Sequence, residues 1–308
     1  MTRIFGLIAI GIACLCGGFS FGVDDGLAGK ASSGPGKLKS GAGRFEFQGA
    51  DKTVPVWCYL PENANADASI LIVMHGVNRD ANRYRDEWTP YARKYGFILV
   101  APEFSEAAFP GGNSYSVGGT TDEKGNPRPR EQWSFSYIEP IFDAVKAATG
   151  NHSERYYLFG HSAGAQFVHR FLYFVPDARV TKAVAANAGW WTMPDPAIDF
   201  PYGLRGSAVD EAALKNMLQR PLVVLLGTAD TDPEDVHLRR TPGALAEGPN
   251  RLARGHAFFE AGRRRAEALG VPLGWQLDTA PGVAHSDSGM AAFAVKWLFG
   301  ETAAKVAK

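Results

Sequence analysis

Ser162 stands in Gly160-His161-Ser162-Ala163-Gly164, after the apolar run Tyr156-Tyr157-Leu158-Phe159 and before the helical pattern Ala165 to Phe174. A G-x-S-x-G turn between strand and helix forces its serine into a cramped backbone conformation, and the flanking glycines let the two elements pass close together. The hydroxyl is then exposed above a helix N-terminus. A serine hydroxyl is a poor nucleophile at neutral pH, so acyl chemistry there requires a base, a group to orient the base, and donors for an oxyanion.

Candidates for all three follow from position. Pro221 to Leu226 is a continuous aliphatic run of the kind that forms a buried parallel strand, and it opens into Gly227-Thr228-Ala229-Asp230-Thr231-Asp232. Asp230 is the first carboxylate there; Asp232 remains an alternative, with Glu234 and Asp235 further along. Among the seven histidines, His152 precedes the serine, His161 lies inside the turn, and His169 is two helical turns beyond it. His237 and His256 sit in an arginine-rich polar segment. His285, in Pro281-Gly282-Val283-Ala284-His285-Ser286 after a short last strand, is the expected base. The order Ser, Asp, His is that of α/β-hydrolases, not of chymotrypsin or subtilisin. The oxyanion donors are expected to be the amides of Ala163 and Val77, the latter in His75-Gly76-Val77-Asn78 after the strand Ser69 to Met74. His75 itself reads as a hydrogen bonder that braces this loop.

The elements that must position these groups alternate. Strands are expected at Arg44–Gln48 and Val54–Leu60 as a hairpin, then at 69–74, 97–101, 156–159, 180–187, 221–226 and 274–277. Helical patterns fill Ala81 to Tyr95, Tyr137 to Thr149, Ala163 to Phe174, Leu252 to Leu269 and Ser288 to Phe299. This predicts an α/β fold, a mainly parallel eight-stranded sheet with helices on both faces and its site at the strands' C-terminal ends.

The chain has 308 residues, 45% hydrophobic and 21% charged, which suits one large catalytic domain, expected over residues 44–302 with a tail at 303–308. Its 32 basic and 32 acidic residues leave no net charge to favour nucleic acid. Residues 1–22 read as a signal peptide, implying export, and 23–43 as a Gly/Ser/Lys-rich linker. Gly11-Ile12-Ala13-Cys14 resembles a lipoprotein cleavage box, so a membrane partner is expected only through lipid on Cys14 or through an uncleaved signal. Cys58, in the second strand, reads as a small buried apolar residue.

On His75-Gly76, Gly160 to Gly164, Gly227 to Asp230 and Gly282 to His285, the chain resembles the α/β-hydrolase superfamily over roughly Val54 to Phe299. Within it the chain is similar to secreted serine esterases related to polyhydroxybutyrate depolymerases and feruloyl esterases. The resemblance implies nucleophile Ser162, acid Asp230, base His285, oxyanion amides at Val77 and Ala163, a small-molecule or oligomeric ester substrate, and no metal or organic cofactor. A serine peptidase of prolyl-oligopeptidase type and a non-catalytic hydrolase-fold binding protein are the alternatives. Specificity falls to loops: Tyr115 and Trp133 in the long segment after the fourth strand, and Trp191 after the sixth, are expected to line the substrate pocket. Arg239, Arg240, Arg251 and Arg254 either bind a substrate carboxylate or cover the sheet.

Overall fold

The computed structural model describes residues 36–300. The expected signal peptide, Cys14, the linker up to residue 35 and the tail at 303–308 lie outside the described residues. The expected linker does not reach Gly43: the Leu38 amide already donates to Ala148 O at 3.1 Å, and the first strand, β1, is Gly41–Gln48.

β1 and β2 (Thr53–Leu60) form the expected antiparallel hairpin. The continuous aliphatic runs become strands buried on both faces: β3 (Ile70–Met74), β4 (Ile98–Pro102), β5 (Tyr156–His161), β6 (Val180–Ala186) and β7 (Leu222–Gly227). The edge strand β8 is Gln276–Ala280, shifted from the expected 274–277, because a half-exposed edge tolerates Asp278 and Thr279 and so lacks the apolar signature. The eight-stranded sheet runs β1-β2-β4-β3-β5-β6-β7-β8, parallel from β4 through β8 and antiparallel at β1, β2 and β4.

Helices α1 (Ala81–Tyr95) and α2 (Gly111–Ser114) precede α3 (Ile138–Thr149) and α4 (Ala163–Phe174). Then come α5 (Glu211–Gln219), α6 (Pro242–Glu247), α7 (Arg251–Leu269) and α8 (Asp287–Phe299). Alternation along the strands divides the core in two. Leu71, Val73, Leu99, Val184 and Leu225 face Trp88 of α1 and Leu298 of α8. Ile72, Val100, Leu158, Ala185 and Val224 face the side packed by α3, α4, α5 and α7. Cys58 is buried in that second layer, and burial pushes its thiol up to about 11. Among the described residues no helix is long and apolar enough to cross a membrane.

One contact sets how tightly α4 sits on the sheet. A Cβ on Gly164 would lie 2.1 Å from Met74 O and 2.9 Å from His75 O; one on Gly160 would lie 2.2 Å from Gly164 O. Backbone carbonyls cannot yield as a side chain can. Gly164→Ala is therefore expected to cost at least about 3 kcal/mol in urea unfolding; a loss below about 1 kcal/mol would show that α4 can lift away from β3 freely.

Candidate active site

Ser162 caps α4 at the end of β5 with φ 57°, a left-handed value that a non-glycine residue adopts only under constraint. Its amide donates to Ala186 O at 3.0 Å, which pins the turn to the end of β6. The serine hydroxyl donates to His285 Nε2 at 3.0 Å, and His285 Nδ1–H donates to Asp230 Oδ2 at 2.7 Å. Asp230 is buried whereas Asp232 is exposed in solvent, so Asp230 is the carboxylate that meets the imidazole.

The loops carrying Asp230 and His285 are joined to each other. Thr228 N donates to Ala280 O, Ala229 N to Val283 O, and Gly282 N to Thr228 Oγ1. Asn187, with φ 50°, reaches both: its Oδ1 accepts from Gly227 N at 2.7 Å and its Nδ2 donates to Ala284 O at 3.1 Å. After His285, Ser286 caps α8 by accepting from Gly289 N.

A cavity of about 140 Å³ opens over these groups, lined by Gly76, Val77, Ser162, His161, His237 and His285, with Asp80, Arg83 and Asp287 at one side. Among the described residues neither the Val77 nor the Ala163 amide has a protein acceptor, so both are free to meet a ligand oxygen. His161 is buried with its ring 4.6 Å from that of His285, and burial first, then the neighbouring His285, holds it well below the ordinary histidine range. It is therefore neutral beside the imidazole. Arg83 donates to Asp80, Glu87 and Asp287 at 2.7, 2.5 and 2.5 Å, so its charge is fully engaged.

Solved structures place this architecture. The chain is 52% identical to poly(aspartic acid) hydrolase-1 of Sphingomonas sp. KT-1, with TM-score 0.83, covering 84% of this chain and 98% of that one. The chain belongs to the α/β-hydrolase family. The poly(3-hydroxybutyrate) depolymerase LpqC of Bordetella parapertussis is 36% identical with TM-score 0.81, over 85% of this chain and 91% of that one. A bifunctional acetylxylan esterase/xylanase of Neocallimastix patriciarum is 27% identical over 143 residues, 46% of this chain but only 18% of the length of that enzyme. No family model matches the chain.

In this α/β-hydrolase the aromatic residues expected to line the pocket do not. Trp191 is fully buried, stacked on Phe258 at 4.3 Å, with its amide donating to Glu247 Oε2. Trp133 donates from Nε1 to Arg128 O and packs edge-on against Phe174. Tyr115 is buried under the loop that carries Val77, its hydroxyl donating to His75 O at 2.8 Å and its ring stacked on His75 at 4.6 Å. Aromatic content in a loop does not tell which way the rings turn, and here they turn into the core. Arg251 and Arg254 are buried as well: Arg254 donates to Gly248 O and Gly189 O, and Arg251 pairs with Asp230 and Asp235.

The long loop instead braces the segment that carries the Val77 amide. His75 Nδ1–H donates to Gly76 O at 2.9 Å, and its Nε2 accepts from Phe104 N at 3.0 Å. Gly76 O and the Val77 N–H belong to one planar peptide unit, so fixing the carbonyl fixes the amide pointing the other way. Arg79, with φ 60°, donates to Phe104 O, Phe109 O and Gly111 O and pairs with Glu106, clamping both loops.

Burial lowers the His75 pKa from the ordinary 6.5 to about 4. The unfolded chain therefore takes up this proton first, so the stability it contributes is complete above about pH 6.5 and is lost as pH falls toward 4, about 3 kcal/mol in all. His75→Gln is expected to be less stable than the parent at neutral pH yet to lose less on acidification. Urea unfolding of both proteins at about pH 7 and pH 4.5 checks this; parallel losses would remove His75 from the acid response.

Proposed function

We propose that this α/β-hydrolase cleaves carboxylic esters through an acyl-enzyme formed on Ser162. The observation that carries the reading is the continuous run Ser162 Oγ–H to His285 Nε2 and His285 Nδ1–H to Asp230, ending beside two amides without acceptors. His285 takes the serine proton as Oγ bonds to the carbonyl carbon, and Asp230 fixes the tautomer and stabilises the imidazolium. The Val77 and Ala163 amides take the developing oxyanion. The alcohol leaves with the proton from His285, water then adds with His285 as base, and the free acid departs as Ser162 regains its hydrogen.

The cavity argues for a short, polar acyl unit. Among the described residues Val77 is the one aliphatic side chain lining its about 140 Å³, beside the Tyr84 ring, which leaves no extended wall for a long fatty chain. The polymers named for the two solved relatives are built of short acyl units that fit this description, and they share a repeat where the aspartate is β-linked. Poly(3-hydroxybutyrate) repeats O–CH(R)–CH2–C(=O), and aspartate joined through its side-chain carboxyl repeats N–CH(R)–CH2–C(=O). We take β-substituted short acyl units, as small molecules or oligomers, to be the substrate class. The 52% identity to a hydrolase of poly(aspartic acid), a polyamide, favours amide cleavage as the second reading. The same histidine serves it by protonating a leaving amine. The expected export rests on residues 1–22 alone.

Ser162→Ala is expected to abolish hydrolysis of short p-nitrophenyl esters, and Asp230→Asn to lower kcat about 10³- to 10⁴-fold with little change in KM. Matched ester and amide dimers of 3-hydroxybutyrate and of β-linked aspartate then decide between the two readings: faster amide cleavage overturns the esterase. Parental rates in Ser162→Ala would remove Ser162 as nucleophile.

A further inference from the structure

The carboxylate of Asp230 has two oxygens and a different partner on each. Oδ2 meets His285, while Oδ1 accepts from Arg251 Nη1 at 3.3 Å. The other arm of the same guanidinium, Nη2, donates to Asp235 Oδ1 at 2.9 Å, and that oxygen also accepts from His237 N at 2.8 Å. Arg251 is the first residue of α7, where Asn250 caps the helix by accepting from Ala253 N, and the next amide, Leu252 N, donates to Asp230 O at 3.3 Å. Side chain and backbone of Asp230 are thus both seated on one helix terminus. Arg251 is buried, and its Nε has no partner.

A guanidinium buried at this cost is placed to do something a solvent molecule cannot. Rotation of an aspartate carboxylate about χ2 meets only a broad two-fold preference. One arm of a rigid planar guanidinium on Oδ1, its other arm tied to Asp235, restricts that freedom and leaves Oδ2 aimed at Nδ1. The charges also count. Two carboxylates around one guanidinium leave a single negative charge facing the imidazole, and the fork holds Asp235 ionised, its carboxyl lowered to about 2 chiefly by the Arg251 hydrogen bond.

We infer that Arg251 is a positioning residue that orients the Asp230 carboxylate toward His285 and ties it, through Asp235, to the His237 loop at the cleft. The inference rests on Ser162, His285 and Asp230 acting together as proposed above.

The test uses the purified full chain, the second-order rate of fluorophosphonate labelling, and kcat and KM on a short p-nitrophenyl ester, with Ser162→Ala as the blank. Arg251→Met is expected to slow labelling and lower kcat by about 30- to 100-fold at a KM within about threefold of the parent. Arg251→Lys, which keeps the charge and loses the fork, is expected to fall in between. Rates are referred to folded protein, measured by thermal unfolding, so a purely structural role changes the amount of active enzyme and not its rate. An unlabelled parent overturns the serine reading and this inference with it. A labelled parent with Arg251→Met within about threefold of its rate overturns this inference alone. If Arg251→Met does not fold, Arg251→Lys decides: parental kcat overturns the inference.

Discussion

Backbone packed directly on backbone fixes the cleft. Gly164 rests against the carbonyls at the end of β3, and that single contact brings the β5–α4 turn and the loop after β3 to the same place. Ser162 belongs to the first and the Val77 amide to the second. With a side chain between them the two would separate by about the width of a methyl group, a displacement large against the tolerance of an oxyanion contact. The strained φ of Ser162 follows from the same closeness, since the chain must reverse within one residue to leave β5 and enter α4.

Burial decides which histidine near Ser162 can act. His75 and His161 are buried and held neutral by desolvation, which lets them serve as fixed hydrogen-bond partners or neutral packing without repelling a positive charge on their neighbour. His285 retains a fifth of its side-chain surface, with a carboxylate behind it. Its position therefore combines access to a substrate proton with a counter-charge. The same logic separates Asp230 from Asp232: adjacent in sequence type, one is enclosed against Arg251 and the helix α7 terminus, and the other is solvated.

Much of this was legible in the chain because local signals agreed with the tertiary outcome. α1 and α4 occupy Ala81–Tyr95 and Ala163–Phe174 as their patterns predict, and the apolar runs of β3, β4 and β7 are strands within a residue or two. Ser162, Asp230 and His285 were singled out by the order of turns at strand ends, which topology converts into proximity. What was not legible is what depends on direction or on distant charge. α5 and α6 span only nine and six residues, too few for a helical period to stand out in the sequence. Tyr115, Trp133 and Trp191 have the composition of a pocket, but the clamp made by Arg79 and the stack on Phe258 turn them inward. Arg251 lies 21 residues from Asp230, and a charged residue opening a helix reads as surface until the fold encloses it.

The division of labour across the cleft explains how one scaffold serves relatives acting on a polyester and on a polyamide. The groups proposed for bond cleavage are held by backbone hydrogen bonds, by Asn187 and by the joined acid and base loops, so they need no rearrangement when a carbonyl arrives. An ester and an amide differ mainly in the leaving group, which in the proposed reaction takes its proton from His285. Arg83 is already shared among three carboxylates and has little charge to offer an anionic substrate. In the proposed reaction, discrimination between substrates therefore falls to the rim, such as the loop between Asp230 and α6, where most side chains are exposed.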